Sequence, residues 1–135
     1  MLDCMNSERF YPIGTPGTPW NDANRLEWFQ GRSIARSYDS EVLSTLRALD
    51  AQCNVFTYGA LPINPTRYPL MAVQIDAKSA DAPWALITGG VHGYETSGVQ
   101  GALTFLAHHG NAYRDRANLL VAPCVSPWGY EVINR

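Results

Sequence analysis

The stretch Trp84-Ala-Leu-Ile-Thr-Gly-Gly-Val-His-Gly-Tyr-Glu-Thr-Ser-Gly-Val-Gln-Gly-Ala-Leu-Thr-Phe-Leu106 decides the fold. Its opening five residues form a continuous apolar run, which predicts a strand buried on both faces and stopping at Gly89-Gly90. After Thr96 or Ser97, either of which can cap a helix, Val99, Ala102, Leu103 and Leu106 recur at helical spacing, and Gly110 is placed to end that helix. Leu119-Leu-Val-Ala-Pro-Cys-Val125 predicts the next strand, with Pro123 putting its far end at an edge or outside the ladder. Strand, helix, strand in this order predicts a right-handed crossover and an α/β layered fold. The turn at 89–95 therefore joins the carboxyl end of a buried strand to the start of a helix, where open α/β sheets place their ligands.

Upstream, Asn54 to Tyr58 and Leu70 to Ile75 predict two more strands. The turn-rich Gly59-Ala-Leu-Pro-Ile-Asn-Pro-Thr-Arg67 joins them as an antiparallel pair, so the sheet is expected to be mixed. Before them, Asp39 or Ser40 caps a helix whose Val42, Leu46 and Leu49 line one face as ordinary core. Asp22 caps a shorter helix in which Leu26 and Phe29 share a face and which Gly31 ends. Three prolines and two glycines between Tyr11 and Trp20 predict irregular backbone. Residues 1–37 read as a lead-in and 38–135 as one domain, with no repeat and no low-complexity tract.

The 135 residues, 46% hydrophobic and 16% charged, have the composition of a globular chain with one core. A formal net charge of −2 and a single lysine, Lys78, offer neither a basic stripe for nucleic acid nor a polybasic patch for a membrane. Cys4, Cys53 and Cys124 have no paired spacing and read as reduced thiols. The acidic start has no signal-peptide pattern and no apolar run reaches membrane-spanning length, so a cytoplasmic location is expected, with a small or peptide-like partner.

Chemistry concentrates in the turn. His92 offers a neutral imidazole nitrogen and Glu95 a carboxylate oxygen, both ordinary zinc ligands, and a spacing of three lets them converge if the turn folds back. Gly90 and Gly93 allow close approach or positive φ. With five glutamates and three histidines, chance alone produces one such spacing about 11% of the time. The pair therefore carries weight through its place after a strand in a glycine-rich turn. Read without metal, the same two side chains would satisfy free amides and the dipole at a helix start. A catalytic zinc commonly takes three protein ligands, so this pair is an incomplete set.

Gly90-Val-His-Gly-Tyr-Glu95, between its strand and helix, resembles the zinc-binding signature of the M14 metallocarboxypeptidase family. Ser126-Pro-Trp-Gly-Tyr-Glu-Val-Ile-Asn-Arg135 resembles that family's Asn-Pro-x-Gly segment and the arginine after it, and Arg67-Tyr-Pro-Leu70 resembles its Gly-Arg-x-hydrophobic lead into an early strand. The likeness covers about residues 38 to 135. It implies the N-terminal part of a three-layer α/β/α domain with a mixed β-sheet, and a zinc-dependent hydrolase acting on a C-terminal peptide or amide bond. His92 and Glu95 would then be the first two zinc ligands, and Arg135 the arginine that polarises the scissile carbonyl and stabilises the oxyanion. Ser126 in place of asparagine and Trp128 in place of a common aspartate depart from the pattern at the loop that shapes substrate preference. The family's third ligand, carboxylate-binding Asn-Arg pair, capping tyrosine and general-base glutamate have no match in these residues. The turn is also similar to that of the acyl-amino-acid deacylases related to aspartoacylase and succinylglutamate desuccinylase, which keeps an acyl-amino-acid substrate open. A truncated fragment or a binding module holding part of a metal site, without hydrolysis, is the third reading.

Other residues have simpler expectations. Cys124 reads as a small core hydrophobe. Ser97 and Ser126, outside any Gly-x-Ser-x-Gly context, read as caps or turn residues. Glu131, after Gly129-Tyr130, reads as a surface carboxylate, with a pocket-facing placement as the alternative. His108 and His109 read as solvated residues on a last helical turn, and the four tryptophans as core or loop packing.

Overall fold

The computed structural model describes residues 12–49 and 53–133. The chain divides into two units, Met1–Ser33 and Ile34–Arg135.

In the first unit, glycines 14 and 17 take positive φ in the proline-rich turns, as that composition predicts. Helix α1, Asp22–Gln30, is capped one residue earlier than expected, because Asn21 and Asn24 each accept from the other's backbone amide in a reciprocal box. Asp22 instead pairs with Arg25 at 2.8 Å. Gly31 does end the helix, but Leu26 and Phe29 stay exposed and no residue of α1 is buried.

The second unit is a mixed α/β sheet. Strands β1 (Asn54–Ala60), β2 (Pro69–Ile75), β3 (Trp84–Thr88) and β4 (Asn118–Ala122) lie in the order β1-β2-β4-β3. β1 and β2 pair antiparallel, as do β2 and β4, whereas β3 and β4 pair parallel across the connecting helix α3 (Thr96–His108). β4 leaves the ladder at Ala122, directly before Pro123, whose missing amide cannot continue it.

Register aligns Val73, Val121 and Ile87 across the sheet, and likewise Ile75, Leu119 and Ala85. Alternate residues of a strand point to opposite faces, so these six share one. Against that face pack Val42, Leu46 and Leu49, from a π-helical turn at Asp39–Leu43 and helix α2 (Ser44–Leu49), and the α3 residues Val99, Ala102, Leu103 and Leu106. Burial of each valine, leucine or isoleucine among them contributes roughly 1.5–3 kcal/mol.

Two local expectations need correction. Strand β3 is not buried on both faces: Trp84 is 60% and Leu86 68% exposed, while Ala85 and Ile87 pack against the core. Among the described residues β3 is the sheet's edge, and the described helices cover only the other face. The second correction concerns caps. Neither Asp39 nor Ser40 caps the α2 region; the Ser37 hydroxyl accepts from the Ser40 amide and the Glu41 carboxylate from the Ser37 amide. Neither Thr96 nor Ser97 caps α3, because Glu95 holds the N-cap position.

No helix among the described residues is long and apolar enough to cross a membrane.

Candidate metal centre

The ligand turn hangs between two fixed points. Where β3 ends, the Gly89 amide donates to the Ala122 carbonyl, while the Gly89 and Gly90 carbonyls accept from Val125 and Ser126. The chain leaving β3 is thus zipped to the chain leaving β4. At its other end α3 begins, with Val99 fully buried. Gly90 takes φ +62°, and a side chain there would meet Val99 at 2.6 Å, so glycine is required on both counts.

Within the turn, the Glu95 amide donates to the His92 carbonyl at 2.9 Å, closing a β-turn over Gly93 and Tyr94. This fold-back brings His92 Nδ1 to 3.5 Å from Glu95 Oε2, with side chains 64% and 58% exposed. The Tyr94 ring lies parallel to the imidazole, centroids 6.0 Å apart.

Gly93 makes the tightest contact of the site. It presses on helix α4 (Pro127–Val132), and a Cβ at this position would stand 2.1 Å from the Tyr130 amide nitrogen and 2.4 Å from the Gly129 carbonyl carbon. Its role is close approach, since its φ is not positive.

The donor pair fits a divalent metal. Glu95 occupies the helix N-cap position yet its side chain makes no capping hydrogen bond, so the metal-free account of this carboxylate as a cap does not describe the geometry. A separation of 3.5 Å is long for a strong hydrogen bond. Two ligands each about 2.0–2.2 Å from a tetrahedral ion stand about 3.3–3.6 Å apart. Imidazole nitrogen with carboxylate oxygen also suits zinc. Among the described residues, no group of three or more His, Cys, Asp or Glu side chains converges to hold an ion. His108 and His109 are exposed at the end of α3, as expected. Arg135, the candidate for oxyanion stabilisation, lies outside the described residues.

Comparison with solved structures accords with this architecture. The chain is similar to a candidate metallopeptidase from Shewanella amazonensis, with TM-score 0.56 and 28% identity over 69% of this chain and 35% of that one. A second candidate metallopeptidase, from Shewanella denitrificans, matches with TM-score 0.53 and 27% identity over 73% and 36% of the respective chains. The fold is carboxypeptidase-like. Bovine thrombin-activatable fibrinolysis inhibitor, solved in complex with a tick carboxypeptidase inhibitor, shares this carboxypeptidase-like fold with TM-score 0.51 over 73% and 33%, and at 16% identity speaks for the fold alone. The M14 resemblance carried by the two sequence motifs agrees with these neighbours. The chain spans about a third of the length of the structures it matches. No protein-family profile and no curated protein sequence matches it.

One acid was misjudged from sequence. Glu131 is 1% exposed, and three donors converge on its carboxylate: the Tyr38 amide at 2.8 Å, Arg67 Nε at 2.7 Å and the Tyr68 hydroxyl at 2.9 Å. The surface reading fails because paired and hydrogen-bonded carboxylates can be buried, and these partners lie 63 to 93 positions away. The only local signal is its place between Tyr130 and Val132, both buried. Burial, then the hydrogen bond to Glu131 and its charge, raises the Tyr68 hydroxyl above its ordinary range.

Beside it, the Tyr130 hydroxyl donates to Glu41 Oε2 at 2.5 Å and accepts from Gln100 Nε2 at 3.0 Å; burial above all pushes it up to about 12. Arg36 stacks its guanidinium 5.3 Å from the Tyr130 ring centre. Cys124 is buried as expected, and desolvation pushes its thiol up to about 12, which suits core packing rather than a nucleophile.

Proposed function

We propose that this chain contributes two metal ligands, His92 and Glu95, to a zinc-dependent hydrolase of the metallocarboxypeptidase type, which cleaves a C-terminal peptide or amide bond. The observation that carries the reading is the 3.5 Å approach of His92 Nδ1 to Glu95 Oε2 in the turn at the carboxyl end of β3. The carboxypeptidase-like fold and the M14 motifs support it.

His92 would bind through a neutral ring nitrogen and Glu95 through a carboxylate oxygen, which leaves the pair one negative charge to offset the cation. Zinc held there would supply a Lewis acid for the scissile carbonyl and an acidified water. On the resemblance, Arg135 would place a fixed positive charge where the oxyanion develops. A third donor and a general base would come from residues other than those described.

The test is release of the terminal amino acid from a peptide with a free carboxyl end, compared with its C-terminally amidated form and with an N-acyl amino acid. Hydrolysis of the free-acid peptide is expected from a purified longer protein that carries this chain together with a third donor and a base, with loss on chelation and in the His92→Ala/Glu95→Ala double variant. Undiminished hydrolysis in that variant would overturn the proposal. Preference for the N-acyl amino acid would move the substrate to the deacylase class with the same ligands.

A further inference from the structure

Helix α4 is the wall against which the ligand turn is built. It is a short helix of six residues, too short to hold its own position in water, so its placement depends on tertiary anchors. At its start the Ser126 amide donates to the Gly90 carbonyl and the Tyr130 amide to the Ser126 carbonyl, and its Gly129–Tyr130 backbone abuts Gly93. Any shift of α4 away from or toward Gly93 must therefore move the residue between His92 and Glu95.

Two consecutive side chains anchor α4. Tyr130 reaches Glu41 and, on α3, Gln100. Glu131 binds the Tyr38 amide, where the helical segment leading into α2 begins, and both Arg67 and Tyr68, which lead into β2. The Glu131 carbonyl also accepts from the Ala35 amide at 2.7 Å. Of these anchors, the Glu131 carboxylate ties α4 to two separate segments of the chain at once, the start of the helical segment before α2 and the lead into β2. It is also the one in which a buried charge demands its full set of donors.

We propose that Glu131 is a positioning residue for the His92–Glu95 pair: its buried carboxylate fixes α4 against Gly93 and thereby holds the two donors at metal-binding separation. This rests on the metal reading of the pair. Glu131 touches neither ligand and acts through the α4 backbone, as the supporting contacts of metal sites orient the ligands themselves.

Replacing Glu131 by glutamine keeps the shape but turns one acceptor into a donor, which in one orientation faces the Tyr38 amide and in the other Arg67, both obligate donors. Tyr68→Phe removes one donor and leaves two. Leu49→Ala opens a cavity on α2 and lowers stability without touching the network, which controls for general loosening.

The experiment is a Zn2+ competition titration of the 135-residue chain at a temperature where circular dichroism shows each variant folded, with Tm measured alongside. Glu131→Gln is expected to weaken zinc affinity about 10–100-fold, Tyr68→Phe less but in the same direction, and Leu49→Ala to lower Tm with zinc affinity unchanged. Where Glu131→Gln does not fold, Tyr68→Phe decides. Wild-type zinc affinity in the deciding variant, or an equal loss in Leu49→Ala, would overturn the positioning role. His92→Ala is titrated in the same series. If it binds zinc as wild type does, the metal reading itself has failed, and that outcome is separate from a failure confined to Glu131.

Discussion

Two glycines of the same sequence neighbourhood have opposite meanings. Gly93 leaves no room for a methyl group, since the Tyr130 nitrogen stands 2.1 Å from its would-be Cβ and belongs to backbone that cannot rotate away. Gly93→Ala is expected to cost about 1–3 kcal/mol or more in denaturant unfolding and to weaken metal binding with it. Gly101, in the middle of α3, has nothing within 4 Å of its would-be Cβ. Gly101→Ala is expected to stabilise the chain by about 0.8–1.0 kcal/mol, from helix propensity alone. A fall in stability for Gly101→Ala, or none for Gly93→Ala, would contradict this account of the turn. The sequence made the flexibility of Gly93 visible and its His92–Glu95 spacing readable. It could not reveal the Tyr130 backbone on the other side, 37 positions along.

At the scale of elements, strand β3 carries the clearest divergence between sequence and structure. A run such as Trp84-Ala-Leu-Ile-Thr88 has the signature of a doubly buried strand, and the following helix and the next strand, running parallel to it, are legible from local periodicity, whereas the register between the two strands is not. What lies over each face is decided by other segments, and the described ones cover only Ala85 and Ile87. Leu86→Thr on the open face is therefore expected to change stability by less than about 0.5 kcal/mol. Val121→Ala, on the covered face of β4, is expected to cost on the order of 1–3 kcal/mol. Equilibrium unfolding measures both. The network around Glu131 was unreadable for a related reason: its partners come from the segments before α2 and β2, so no window of sequence contains them. Motif order and hydrophobic period are local properties and survive in sequence. Burial of an ionised group is a property of the assembled sheet and helices.

Across the second unit as a whole, buried acidic protons set an alkaline limit. The Cys124 thiol is raised from 9.0 to about 12 and the Tyr130 hydroxyl from 10.0 to about 12, both chiefly by desolvation. A folded-state value above the unfolded one means that, as pH rises past the unfolded value, the unfolded chain releases its proton while the folded chain keeps it. Stability is thus fully present below about pH 9 and is lost between pH 9 and 12, by up to about 1.4 kcal/mol per pH unit for each group. The midpoint of urea unfolding should fall over that range, and Cys124→Ala should flatten its lower part; an unchanged midpoint from pH 8 to 11 would contradict the assignment. The carboxypeptidase-like architecture and the metal turn answer most directly to isothermal titration of the 135-residue chain with Zn2+, alongside His92→Ala and Glu95→Ala. One zinc is expected to bind the wild-type chain, with affinity falling in each variant by more than the roughly 10–100-fold typical of losing an outer contact. Equal zinc binding by all three proteins would contradict it.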